Sequence, residues 1–329
     1  MLHALPGPDG TTQYVDHLIG GAPPEIETLT FSWPRAIFGA YDVLHLHRPR
    51  LLVRQARGGR LAGQLLTAVL LLRLELTETP VVRTVHDRVP HAAGDRLERR
   101  LLDALDRRTA LWIRLDPTTA LPPDVRTATI PHGHYRSAFP PRPGTTPEPG
   151  RLAQIGPIRR DVGTDRLLEV FGAIDDPSLR LTVAGRPQDD ALAGQVAAAA
   201  AADVRVTLRL DHLADDELAR EVRHAELVVL PCAPVHDAGA ALIALSLDRP
   251  VLVPRGAATD ALAREVGEGW VLMFDGALQR GDLLRALAAA RLTRERGVPP
   301  RLDDRDWELV GRRHADVYRR VAPDAAGRR

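Results

Sequence analysis

The 329-residue chain contains no lysine and no asparagine, so all 44 basic residues are arginine. With alanine abundant, that pattern marks a GC-rich genome and lowers the functional weight of any single arginine. The one cysteine, Cys232, excludes an intrachain disulfide. Long apolar runs are missing as well. The most apolar, Leu65–Leu72, falls far short of the roughly 20 residues that span a bilayer. A surplus of one charge is also lacking: the formal net charge is +1, so no global field draws nucleic acid, and no nucleic-acid partner is expected. No G-x-G-x-x-G follows any strand, which argues against a nicotinamide dehydrogenase. Met1–Pro6 has no basic segment followed by a long apolar stretch, so no signal peptide is expected. The chain reads as cytoplasmic, with peripheral contact at the inner face of the membrane left open.

What is present is the composition of a soluble globular protein, 44% apolar and 26% charged, in a chain long enough for two domains. The N-terminal half alternates short strands with helices. Leu2–Leu5, Ile26–Phe31, Val43–Leu46, Val81–Val85, Leu111–Arg114 and Thr127–Ile130 suit strands. Leu61–Glu75 and Asp95–Arg108 suit helices. The Pro/Gly cluster Pro140–Gly150 is the clearest punctuation and reads as a hinge linker. The rhythm then restarts, with strands at Arg151–Ile155, Arg180–Ala184, Val204–Leu208, Leu227–Leu230, Val251–Pro254 and Val271–Phe274. Helical patterns separate them at Asp165–Gly172, Ala191–Ala202, Asp215–His224, Ala240–Leu247 and Ala257–Val266. This alternation predicts an α/β fold of two Rossmann-like, doubly wound parallel sheets facing across a cleft. The expected domains are 1–140, joined by a C-terminal helix at 304–320, and 151–303, with 141–150 between them.

The ordered motifs carry a resemblance. Ile155–Asp165 (IGPIRRDVGTD), Leu181–Pro187 (LTVAGRP), Leu227–Pro231 (LVVLP) and Ala244–Pro254 (ALSLDRPVLVP) resemble the C-terminal half of the large retaining glycosyltransferase family numbered four, of GT-B fold. Tyr41–Pro49 (YDVLHLHRP), Arg83–Pro90 (RTVHDRVP) and Thr129–Tyr135 (TIPHGHY) match its N-terminal landmarks. The resemblance implies a metal-independent hexosyltransferase moving a sugar, with retention, from a nucleotide-sugar donor to a hydroxyl acceptor. A glycan or lipid-linked glycan precursor is the expected acceptor, and no cofactor is implied beyond the nucleotide-sugar substrate. The chain departs from the family where its paired glutamates fall on Val235 and Ile243, and where its usual lysine falls on Val162. Those losses keep two alternatives open, a non-catalytic glycosyltransferase-like subunit and a GT-B sugar-nucleotide epimerase.

The candidate residues follow from chemistry and from that resemblance. Asp237, Ala238, Gly239 and Ala240 open a helix, where backbone N–H groups and the helix dipole favour a diphosphate; Asp237 suits the N-cap. Arg159 and Arg160 follow a strand, and guanidinium groups pair bidentately with phosphate. Gly185 and Arg186 end the next strand near the expected nucleotide. In the resemblance, Glu265 matches an acidic position that contacts ribose or sugar, and His86 a sugar-contacting histidine. Asp87 beside it could act as general base if the reaction inverts. Gly10 and Thr11 match a loop near the donor phosphates or acceptor. His132 and Gly133 match a cleft loop, with Gly133 expected to supply unusual backbone geometry. His45 and His47 alternate on one strand and so share a face, and His47 is expected to line the acceptor side or cleft loop. With His86 they could suggest a metal, but no acidic partner stands at metal-site spacing, so no metal is expected.

Overall fold

The computed structural model describes residues 1–4, 13–54, 59–86, 95–140, 146–211, 213–231 and 238–323. The chain divides into two compact units: Met1–Gly133 with Asp304–Arg329, and His134–Asp303.

The first unit holds β1 (Leu2–His3), α1 (Gln13–Gly20), α2 (Trp33–Phe38), β2 (Leu44–Leu46), α3 (Pro49–Arg54), α4 (Gly59–Leu76), β3 (Val81–Val85), α5 (Arg96–Arg108), β4 (Thr109–Arg114) and β5 (Thr127–Thr129). Its sheet is parallel, in the order β1-β2-β3-β4-β5. Ile26–Phe31 forms no named strand. It contributes one parallel bridge, Leu2 to Leu29, on the free edge of β1. Counting that bridge, the chain steps outward from β1 to Leu29 and then crosses back to β2. The direction of winding therefore reverses between β1 and β2. Leu2, Leu44, Leu46, Leu70, Leu74 and Leu105 form one core layer, and Val43, Val82, Ile113, Ile130 and Trp307 the other.

The second unit holds β6 (Arg151–Ile155), α6 (Thr164–Gly172), β7 (Arg180–Ala184), α7 (Asp190–Ala201), β8 (Val206–Arg209), α8 (Asp215–His224), β9 (Leu227–Val229), α9 (Ala238–Ser246), β10 (Val251–Pro254), α10 (Ala257–Val266), β11 (Val271–Phe274) and α11 (Arg280–Arg296). Its six parallel strands run β11-β10-β9-β6-β7-β8. The central strands β9 and β10 are buried along their whole length, as parallel strands covered on both faces must be, so they read as unbroken apolar runs. Winding reverses between β6 and β9.

A 3₁₀ turn at Asp303–Arg305 leads into α12 (Trp307–Val321), which returns to the first unit. Asp306 caps it by accepting from the Glu308 N–H at 2.8 Å. It packs at very close range. A Cβ on Gly21 would sit 2.2 Å from the Trp307 carbonyl oxygen, and one on Gly311 1.9 Å from the Gly21 carbonyl oxygen. Among the described residues no helix is long and apolar enough to cross a membrane.

Candidate active site

In an open parallel sheet, ligands bind beyond the carboxyl ends of the strands at the point where winding reverses. In the first unit that place, between β1 and β2, is filled with imidazoles. His3 ends β1, His45 lies in β2, and His47 stands one residue past it. His86 follows β3, His132 follows β5, and His314 arrives on α12. Among the described residues six histidines thus converge.

Two hydrogen-bonded threads run through them. In one, His3 Nδ1 lies 3.0 Å from His47 Nε2, and His47 Nδ1 lies 3.4 Å from His86 Nε2. In the other, His45 Nδ1 lies 2.8 Å from the Tyr318 hydroxyl and His45 Nε2 2.8 Å from Thr84 Oγ1. His314 Nδ1–H donates to the Val310 carbonyl at 2.8 Å, which leaves its Nε2 as a lone pair. That nitrogen and His3 Nε2 are buried without a partner among the described residues. The Tyr14 ring meets His86 edge-on at 5.1 Å and lies 4.8 Å from His132.

Burial dominates the electrostatics. It lowers His3 and His86 to about 3, and His132 and His314 to about 4. His45 and His47 are pushed well below 6.5. Neighbouring histidines add to the effect, and Arg48 does so at His86. All six are therefore neutral at neutral pH, and a neutral imidazole donates from one nitrogen and accepts at the other. The tautomers of His86, His47 and His3 are consequently linked: fixing one fixes the next.

His3, His45 and His47 offer nitrogens within 4.8 Å of one another, and neutral imidazole is the metal-binding form. Yet both His45 nitrogens already meet hydroxyl groups, and among the described residues no carboxylate joins the set to offset a cation's charge. The donors suit a hydrogen-bonded network better than a metal.

In the second unit the reversal lies between β6 and β9. The backbone turns there on glycines. Gly156, at φ +106°, follows β6, and a Cβ on it would meet Ala240 of α9 at 3.9 Å. Gly185, at φ +157°, follows β7, and a Cβ there would fall 1.8 Å from the Gly156 carbonyl oxygen. Gly163, at φ +77°, opens α6 without a side-chain cap and faces the Pro231 carbonyl. The first turns of α6 and α9 thus flank one crevice, and free N–H groups at a helix start favour an anion. Buried Gln154 gives its Nε2–H to Thr164 Oγ1 at 2.7 Å, while its Oε1 has no partner among the described residues. A cavity of about 370 Å³, lined by Glu226, Asp248, Arg249, Pro250 and Trp270, lies at the opposite, amino-terminal edge of this sheet.

The expected residues fall as follows. Gly185 and Ala240 meet at Gly156, and Ala238 and Gly239 open the same helix as Ala240. Arg159 and Arg160 stand in the loop beyond β6; Arg159 pairs with Asp161 at 3.1 Å, and Arg160 reaches Gln195 at 3.1 Å. Exposed Arg186 follows Gly185. Glu265 is not brought there. It occupies the last turn of α10, eight residues or about 12 Å of helix axis beyond the helix start, toward the amino-terminal edge. Gly133 has no unusual φ. Its role is steric, since a Cβ would strike the Trp307 ring at 2.4 Å. Ile243 and Val162 pack in the interior of their unit. Gly10, Thr11, Asp87, Val235 and Asp237 lie outside the described residues. The sequence pattern did not single out His3, His314, Gln154, Gly156 or Gly163; a Gly directly after a strand, as at Gly156, was the one usable signal.

No family model matches the chain. A GDP-mannose:glycolipid 4-beta-D-mannosyltransferase of Xanthomonas campestris pv. campestris is 42% identical over 313 residues, 94% of this chain and 88% of that protein. The chain belongs to this glycosyltransferase family. Solved structures agree on the fold of the glycosyltransferase. Anabaena Alr3699/HepE, in complex with UDP and glucose, superposes with a TM-score of 0.63 at 12% identity over 99% of this chain and 98% of that one. A glycosyltransferase from Rickettsia africae ESF-5 gives 0.60 at 11% identity, covering 97% of each chain. The glycosyltransferase is thus a hexosyltransferase of GT-B type, using a nucleotide-sugar donor.

Proposed function

We propose that the enzyme transfers mannose from GDP-mannose to a hydroxyl of a glycolipid and forms a β-mannosidic bond, working at the inner face of a membrane. The observation that carries this is the 42% identity, along 94% of the chain, to the Xanthomonas enzyme of that activity. GDP-mannose is an α-linked donor, so a β product means inversion, in place of the retention that the family-four resemblance implies. Inversion requires a base to take the acceptor proton as the bond to the anomeric carbon forms. A histidine held down to about 3 is a weak base, so His86 orients the hydroxyl by donating its ring N–H to the hydroxyl oxygen, and Asp87 takes the proton. At the other end, GDP leaves with its new charge held by the starts of α6 and α9 and by Arg159. No resident metal takes part.

The test is direct. Purified enzyme is given GDP-mannose, UDP-glucose or GDP-glucose with a membrane glycolipid extract, and the product is digested with α- or β-mannosidase. Labelled lipid from GDP-mannose alone, cleaved by β-mannosidase only, is expected. Asp87→Asn should lower kcat by about 10² to 10⁴. An α-linked product would overturn inversion, and transfer from UDP-glucose alone would overturn the donor.

A further inference from the structure

The solvent face of α4 is mostly apolar, with Arg60 at its start and Glu75, paired with Arg108, near its end. Leu61, Leu65, Leu72 and Leu76 are 79%, 67%, 60% and 76% exposed, with Ala68 and Val69 between them. The spacing of four, four, three and four residues sets Leu61, Leu65, Val69, Leu72 and Leu76 in one stripe, about 22 Å long at 1.5 Å per residue. The opposite face, with Leu70 and Leu74, is wholly buried in the core of the first unit, so the helix has two apolar faces and only one is covered. Phe38, 85% exposed, extends the stripe: it ends α2 beside Gly39, whose carbonyl accepts from Arg73 of α4 at 2.8 Å. Contiguous apolar surface of this kind is uncommon on a protein that stays in water.

The neighbouring helix decides what covers it. α5 flanks α4 along its length, with Gln64 bonded to Asp95 at one end and Arg108 to the Leu74 carbonyl at the other. On its exposed side α5 carries Arg96, Arg99, Arg100 and Arg107. Among the described residues none of these four side chains forms an ion pair or hydrogen bond, in contrast to Arg54, Arg60 and Arg108. A second copy docked on the same face by a two-fold axis would set one row of guanidinium groups against another. An anionic surface would neutralise them.

We propose that the α4 stripe and the α5 arginines form the surface by which the enzyme lies on an anionic lipid bilayer. The leucines and Phe38 enter the boundary between headgroups and acyl chains, and the guanidinium groups meet lipid phosphates. This deepens the glycolipid reading of the acceptor and rests on it for its biological sense, though the surface stands on its own residues. It places the docking element in the same unit as the histidine network, so the acceptor headgroup is delivered to the unit that already touches its membrane.

The experiment is flotation of the full chain with vesicles of phosphatidylcholine alone, or of phosphatidylcholine and phosphatidylglycerol in equal parts. Binding to the anionic vesicles, weakened by salt, is expected. Leu65→Glu/Leu72→Glu should abolish flotation and leave the melting temperature unchanged, because both side chains are exposed. Each of Arg96→Ser, Arg99→Ser and Arg100→Ser should weaken binding about fivefold. Equal flotation of wild type and the leucine variant would overturn the proposal. So would a wild-type dimer that the leucine variant dissociates, since a second copy would then own the face. Mannosyl transfer to a short-chain acceptor in detergent is read in parallel and should survive in the leucine variant. Flotation with no transfer to any glycolipid defeats the acceptor reading alone, and transfer with no flotation defeats the surface alone.

Discussion

Nδ1 of His3 and Nε2 of His47 stand 3.0 Å apart with no water-exposed alternative for either, so only one of the two carries a proton. Through His47 Nδ1 the same choice reaches His86. The orientation of the ring nearest the proposed chemistry is thus set two residues deeper in the sheet.

Replacing His47 by alanine should therefore disturb His86 without touching the donor unit. The expected result is a loss of about 10² in kcat, the scale of a misplaced reacting group, with KM for GDP-mannose unchanged. Two-dimensional ¹⁵N spectra should show His3 and His86 losing their single tautomers in the same variant. A raised KM for GDP-mannose with normal kcat would contradict this role.

Acid should unfold the first unit. The folded values of His132 and His314 lie near 4 against 6.5 for a free imidazole, so the unfolded chain binds more protons between those limits. Stability is therefore full above about pH 6.5 and falls as pH drops, each buried histidine costing up to about 1.4 kcal/mol per pH unit. Urea midpoints measured from about pH 8 down to about pH 4.5 should be flat at first and then fall steeply. His314→Phe should flatten the fall.

Tyr318→Phe removes the hydroxyl that His45 Nδ1 meets at 2.8 Å. It leaves a buried ring nitrogen unpaired, which costs about 1–3 kcal/mol. Thermal denaturation reads this as a drop of several degrees. Nucleotide affinity, governed by the second unit, should not change.

Gly133→Ala and Gly185→Ala should fail for different reasons. The first drives a methyl into the Trp307 ring at 2.4 Å and should cost about 1–3 kcal/mol. Trp307→Leu in the same chain should recover part of that loss, which a double-mutant cycle measures. The second places a methyl 1.8 Å from the Gly156 carbonyl oxygen at φ +157°, so GDP binding should weaken along with stability.

Dialysis against a chelator should leave transfer intact, because His45 spends both ring nitrogens on hydroxyl groups and His47 pairs with His3 and His86. Activity lost to the chelator and restored by zinc would reverse that reading.

Much of the second sheet was legible because strands buried on both faces leave unbroken apolar runs such as Leu227–Leu230 and Val251–Pro254. Ile26–Phe31 misled for the converse reason: its alternation belongs to an edge segment that makes a single bridge at Leu29. α11 was not picked out, although Leu283, Ala286, Leu287 and Ala290 show a helical stripe between its arginines. His45, His47 and His86 were legible from motifs along the chain. His3 and His314 were not, because they join the network through crossovers that no local spacing records. Glu265 matched by position in the chain, but α10 runs it away from the strand ends that bind ligand.

The return of α12 to the first unit has a consequence for synthesis. Trp307, His314 and Tyr318 are made only after the whole second unit, yet they complete a pocket begun at His3. Until α12 emerges from the ribosome, His45 lacks its phenol partner and the Tyr14 face lacks its indole. The unit translated first can therefore close last, and a nascent chain carries that open histidine pocket until α12 has been made.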